Sequence, residues 1–128
     1  MVALEPRVAV VDDDESIRRA LGRLLRVEGF VSEGFASALD YMEAAKKQGY
    51  DCLVLDIHLG GMSGIELVEK LSGEGDGIPV ILITAHDDET TRERACASGV
   101  AAYLRKPLDA DTLLAEVHKA VDVGRGTP

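Results

Sequence analysis

The chain has 128 residues, 46% of them apolar, and carries 14 basic against 23 acidic side chains for a formal net charge of −9. That length fits one domain with its own core, and the acidic balance excludes direct nucleic-acid binding, which needs a basic footprint. No apolar run approaches the roughly 18–20 residues that span a bilayer, and the N-terminus lacks a basic stretch followed by an apolar one, so a cytoplasmic location without membrane binding is expected.

Residues 8–11 read as a strand and 15–28 as a helix with Ile17, Leu21, Leu24 and Leu25 on one face, stopped by Gly29. A weaker strand follows at 30–33. The next helix opens at Ser37, turns Leu39, Met42 and Ala45 inward, and ends at Gly49. Residues 53–55 form a continuous apolar strand. The loop from His58 to Met62 leads to a third helix opening with Ser63-Gly64-Ile65-Glu66, a capping-box pattern, with Ile65, Val68 and Leu71 inward. After a Gly-rich loop at 72–77, Pro79 begins the strand at 80–83. A polar helix spans about 88–98, closed by Gly99, and a short strand follows at 101–104. The last helix opens at Asp109 and buries Leu113, Leu114, Val117 and Val121. Residues 1–123 read as the domain and 124–128 as a tail or the start of a linker. Cys52 and Cys96 read as two reduced, packed thiols, since neither has a suitably spaced sulfur or histidine.

Five strands alternating with five helices predict an α/β doubly wound parallel sheet with helices on both faces. Candidate site residues after strands one and three favour the flavodoxin-like order 2-1-3-4-5, whose switch point lies between those strands.

Asp12, Asp13, Asp56, Thr84 and Lys106 each stand at the C-terminal end of an apolar run. In an open parallel sheet those ends share one edge, so three carboxylates, a hydroxyl and an ammonium converge there. Helix capping accounts for one or two acids after the first strand, but Asp14 and Glu15 already supply them. Carboxylates this close repel unless a cation neutralises them. An all-oxygen set suits Mg²⁺, or Mn²⁺ in its place, rather than zinc. A carboxylate beside Mg²⁺ can attack phosphorus and become an aspartyl-phosphate; such transfer is mostly positioning and charge neutralisation. Lys106 then supplies a fixed positive charge and Thr84 a hydroxyl for phosphoryl oxygens. Lys106 precedes Pro107, and X-Pro bonds take the cis form far more often than others.

The stretches Val10-Val11-Asp12-Asp13-Asp14-Glu15, Leu53-Val54-Leu55-Asp56, Gly61-Met62-Ser63-Gly64, Ile83-Thr84-Ala85 and Tyr103-Leu104-Arg105-Lys106-Pro107 carry a resemblance. The chain resembles a response-regulator receiver domain of two-component signalling from Val8 to about Val121. The resemblance implies that Asp56 accepts a phosphoryl group from a phosphohistidine of a sensor histidine kinase. It implies that Asp12 and Asp13 hold Mg²⁺, with Asp56 and the backbone carbonyl of His58 as further ligands, and that Thr84 and Lys106 bind the phosphoryl oxygens. Thr84 then moves toward the phosphate and Tyr103 turns inward. The changed face, comprising the fourth helix, fifth strand and fifth helix, binds a second copy or an output domain. Such a chain is a signalling phosphoacceptor that assists its own phosphotransfer and dephosphorylation, not an enzyme turning over external substrates. The phrases Gly61-Met62-Ser63-Gly64-Ile65-Glu66-Leu67 and Ile78-Pro79-Val80-Ile81 are similar to receivers preceding LuxR-type DNA-binding domains of transcriptional regulators.

His58 and His86 lie two residues beyond Asp56 and Thr84, positions that border the path of the hydrolytic water in the family. One of them is expected to orient or exclude that water, so that phosphate lifetime varies between about pH 5 and 8, where histidine titrates; the plainer alternative is two solvated loop histidines. His118, on the last helix, reads as a surface residue. Two rival functions fit less well. A Mg²⁺-dependent phosphatase resembling the haloacid dehalogenase class needs a second Asp two residues beyond the nucleophile, where His58 stands. An unphosphorylated binding module leaves the five site residues without a role.

Overall fold

Every residue of β3 (Cys52–Asp56) and β4 (Val80–Thr84) is buried, as continuous apolar runs require in a sheet covered on both faces. The computed structural model describes residues 5–124. With β1 (Arg7–Val11), β2 (Val31–Phe35) and β5 (Ala102–Arg105), these strands form one sheet in the order β2-β1-β3-β4-β5, parallel at every junction. The expected topology is therefore the one observed. The helices are α1 (Glu15–Val27), α2 (Ala38–Ala45), α3 (Gly64–Gly73), α4 (Glu89–Ala97) and α5 (Ala110–Gly124).

Alternation along the strands sorts the core into two layers. Val8, Val10, Val54, Ile81 and Ile83 pack with Leu21 and Leu25 of α1 and with Leu113 and Val117 of α5. Ala9, Val11, Leu53, Leu55 and Leu82 point the other way, toward Tyr41 of α2, Leu67 of α3 and Ala95 of α4.

Helix ends follow the local chemistry the sequence carries. The Asp14 side chain accepts from Ser16 N and Ile17 N to cap α1, and Gly29 takes φ +94° just past its end, a left-handed conformation that disfavours a Cβ. Ser63 and Glu66 form the full capping box on α3. Asp88 and Asp109 accept from the amides of Thr91 and Thr112 at the starts of α4 and α5.

Four expectations need correction. In α2 the buried residues are Ala38 and Tyr41, while Leu39 is 64% exposed and Ala45 is exposed. The inward face is turned because Tyr41 joins Phe35 and Tyr50 in a cluster with ring centroids 5.6–6.1 Å apart; an aromatic ring buries more apolar area than a leucine. The helix also stops at Ala45, capped by Lys46, short of Gly49. Cys96 is exposed, unlike buried Cys52, because Ala95 occupies the inward position on α4 and the next residue lies about 100° round the helix. Burial pushes the Cys52 thiol up to about 12.

The edge strands start one residue later than the apolar pattern suggests. Phe30 is buried before β2 begins, its amide closing the turn onto Leu25 O. No helix among the described residues is long and apolar enough to cross a membrane. The helix α5 includes Gly124, and the rest of the expected tail lies outside the described residues.

Candidate functional site

Register assembles the site. Val11 pairs with Leu55 and Asp56 with Ile83, while Thr84 pairs with Arg105. The residues that end or follow β1, β3, β4 and β5 therefore meet at the carboxyl edge of the sheet, as a doubly wound fold provides. Asp12 is completely buried and Asp56 nearly so. Asp13 is exposed and has no hydrogen-bond or ion-pair partner among the described residues. One carboxylate oxygen from each of the three lies within 4.8 Å of the others.

Lys106 spans the two buried acids, with Nζ 3.1 Å from Asp12 Oδ2 and 3.2 Å from Asp56 Oδ2. Its backbone N–H donates to Thr84 O at 2.8 Å, and the Lys106–Pro107 bond is cis. Burial alone would lower the ammonium's pKa, but the Asp12 hydrogen bond and the charges of Asp56 and Asp12 outweigh it, and it stands above its ordinary value. Asp56 is raised, first by burial and then by the Asp12 charge, against the pull of the His58 N–H and of Lys106. Asp12 and Asp56 are held by other contacts as well. His58 N donates to Asp56 Oδ1 at 3.1 Å, Asp14 N donates to Asp12 Oδ1 at 2.9 Å, and Arg18 grips the Asp12 carbonyl at 2.7 Å.

These oxygens suit a hard divalent cation: two buried acids share a single ammonium, and a third acid stands free beside them. Asp12, Asp13 and Asp56 would hold such a cation, which would neutralise their mutual repulsion.

Thr84 is completely buried at the end of β4. Its hydroxyl donates to His86 O at 2.7 Å and accepts from His86 N at 3.0 Å, while His58 Nε2 lies 3.2 Å away. The His58 and His86 rings meet edge to face, centroids 5.3 Å apart. Tyr103 stands away from the acidic cluster, half-buried against the layer of α2, α3 and α4. Arg92 lies 5.4 Å over its ring and pairs with Asp87, which Arg105 also approaches at 3.7 Å. The Tyr103 hydroxyl is buried without a partner in hydrogen-bond range; burial and the neighbouring Asp87 carboxylate raise its pKa. His118 is exposed, 3.2 Å from Glu28 and against Phe30, as a surface residue should be.

Gly64 had no assigned role in the sequence. It begins α3 directly against the backbone of the site, and a Cβ there would sit 2.4 Å from Asp56 O and 2.8 Å from Ile57 Cα. Its N–H also donates to Ile57 O at 2.9 Å. The only signal was a glycine where a helix starts, a place where better helix formers are usual.

Comparison with known proteins agrees with this geometry. The family model described as "Response regulator receiver domain" matches residues 8–118. The transcriptional regulatory protein FixJ of Azorhizobium caulinodans is 32% identical over 114 residues, 89% of this chain and 54% of that protein. The DNA-binding transcriptional regulator NtrC of Escherichia coli K12 is 37% identical over 114 residues, 89% of this chain and 24% of that one. The chain thus spans about a quarter to a half of these curated relatives. Among solved structures, the response regulator StyR superposes with a TM-score of 0.88 at 41% identity, covering 96% of this chain and 62% of that one. A CheY-like receiver from Methanospirillum hungatei superposes at 0.90 with 26% identity, covering 98% and 100%. The sheet order, the residues gathered on its carboxyl edge and the match over 8–118 agree: this chain belongs to the response-regulator receiver domains of two-component systems.

Proposed function

We propose that Asp56 is the phosphoacceptor and that its phosphorylation switches the surface of the domain. The observation that carries this reading is the Lys106 ammonium bridging two buried acids, Asp12 and Asp56, with Asp13 free beside them. A nearly buried carboxylate facing a fixed cation can attack phosphorus while its neighbours absorb the charge. The N–P bond of a kinase phosphohistidine breaks as an Asp56 O–P bond forms, and the N–P electron pair leaves on the imidazole nitrogen. Asp12, Asp13, Asp56 and the His58 carbonyl hold Mg²⁺; Lys106 and Thr84 take the phosphoryl oxygens.

The kinase approaches over α1. Ile17, Leu21 and Leu24, with Pro107, Leu108 and Leu113, line an apolar cleft of about 640 Å³ that includes Lys106. An amphipathic helix of a partner can lie in such an apolar groove, and this one borders Lys106. On phosphorylation Thr84 leaves His86 for the phosphoryl group and Tyr103 follows. The face of α4, β5 and α5 then engages a second copy or a DNA-binding output domain; the similar NtrC of Escherichia coli K12 is a DNA-binding transcriptional regulator. One of His58 and His86 tunes the lifetime of the phosphate by orienting or excluding the hydrolytic water.

Intact mass after incubation with Mg²⁺ and acetyl phosphate tests the reading. A single phosphoryl adduct is expected, dependent on metal, labile in base and absent from Asp56→Asn. Its decay after donor removal should change in His58→Ala or His86→Ala; an unchanged rate in both removes their lifetime role. No adduct on the unaltered protein removes the phosphoacceptor reading itself.

A further inference from the structure

Thr84 is fully committed. Its oxygen has one proton to give and two lone pairs to fill. The proton goes to His86 O, and the lone pairs face His86 N and His58 Nε2. With the hydroxyl proton spent on the carbonyl, His58 must carry its ring proton on Nε2 and donate it to Thr84. A hydroxyl so placed cannot donate to a phosphoryl oxygen without leaving His86 O.

The three contacts are not equivalent. Both His86 partners lie two residues on in the same stretch of chain as Thr84. His58 follows β3 instead, and its backbone N–H is anchored on Asp56 Oδ1 at 3.1 Å. It is the side chain that ties the Thr84 hydroxyl to a different strand, and its ring also rests edge-on against His86. Rotating the Thr84 hydroxyl away about its own Cα–Cβ bond has to break this tie to a neighbouring strand.

We propose that His58 is a positioning residue that holds the Thr84 hydroxyl on the His86 side and so sets how readily the loop between β4 and α4 responds. The proposal rests on the reading that Asp56 takes a phosphoryl group which Thr84 then binds. His58 acts through Thr84 and opposes the activated arrangement. Removing its N–H while keeping an aromatic ring should make phosphorylation faster, and by the size of one neutral hydrogen bond the effect is about three- to tenfold.

Adduct formation with acetyl phosphate and Mg²⁺, followed by intact mass, tests this in His58→Phe, His58→Gln, Thr84→Ala and the double variant His58→Phe/Thr84→Ala. The expected result is a three- to tenfold faster rate for His58→Phe than for the unaltered protein. His58→Gln, which restores a side-chain N–H, should be slower than His58→Phe. In the Thr84→Ala background the Phe substitution should change the rate less than twofold, because the group it releases is gone. An unchanged or slower His58→Phe overturns the proposal. So does an acceleration that persists without the Thr84 hydroxyl, which would assign the effect to access at Asp56. An adduct on the unaltered protein with an unresponsive His58→Phe removes this inference alone, whereas no adduct on the unaltered protein removes it together with the phosphoacceptor reading.

Discussion

Asp56 is ionised at a cost. Burial comes first among the causes that raise its pKa, and the Asp12 charge adds to it, so the His58 N–H and Lys106 do not fully compensate. The sign follows by linkage. A carboxyl whose folded pKa lies above its unfolded value of about 3.9 contributes stability below that unfolded value. The contribution is lost as pH rises through the folded pKa. Asp56→Asn is neutral throughout and does not lose it. In chelator-containing buffer the variant should therefore match the unaltered protein near pH 3.5 and unfold at a higher temperature by neutral pH. Thermal unfolding from pH 3.5 to 7.5 checks this. A less stable variant at pH 7 would mean that the Lys106 ion pair outweighs burial. The identity of these groups was legible in the sequence because each ends an apolar run, and strand ends of a parallel sheet share an edge. The partners of the Thr84 hydroxyl were not, since sequence position places a Cα at a strand end without fixing the rotamer or the turn that follows.

Among the elements, α3 bears most directly on the site because it starts on the backbone of Asp56. With an added Cβ only 2.4 Å from Asp56 O, well inside contact distance, Gly64→Ala must displace either the helix or the end of β3. The expected cost is about 1–3 kcal/mol, the range for overpacking, together with slower adduct formation, because a carboxylate moved by a fraction of an ångström misaligns with Lys106. Chemical denaturation and the mass assay read the two effects; full stability in the variant would mean that the contact relaxes freely. The helix α2 offers the opposite lesson. Spacing alone placed Leu39 inward, whereas Tyr41 is 2% exposed and Leu39 is 64% exposed. An eight-residue helix has too few turns for periodicity to fix its face, and the aromatic cluster decides instead. Tyr41→Ala should cost about 3–5 kcal/mol, while Leu39→Ser should change stability by less than about 0.5 kcal/mol. Equal losses would return Leu39 to the core. Longer α1 and α5, with several turns each, buried residues that the pattern had marked.

Across the whole molecule, the site is a junction of strands. Asp12 follows β1, Asp56 ends β3, Thr84 ends β4 and Lys106 follows β5, so these groups converge only when the sheet is formed. The unfolded chain disperses them, and a cation held by Asp12, Asp13 and Asp56 binds the folded state alone. Mg²⁺ should then stabilise the entire domain by RT ln(1 + [Mg²⁺]/Kd), about 2.7 kcal/mol at a hundred times Kd, which raises Tm by roughly 10 °C. Asp13 gives the control. It is exposed and has no partner among the described residues, so Asp13→Asn removes a ligand without removing a contact that holds the fold. Its Tm in chelator should match the unaltered protein, and its response to Mg²⁺ should shrink to that of matched ionic strength in KCl. The comparison with KCl is needed because a chain of net charge −9 gains some stability from screening alone. A flat Mg²⁺ titration of the unaltered protein would remove the cation from this site. A shift that survives in Asp13→Asn would place the ion elsewhere on the acidic surface.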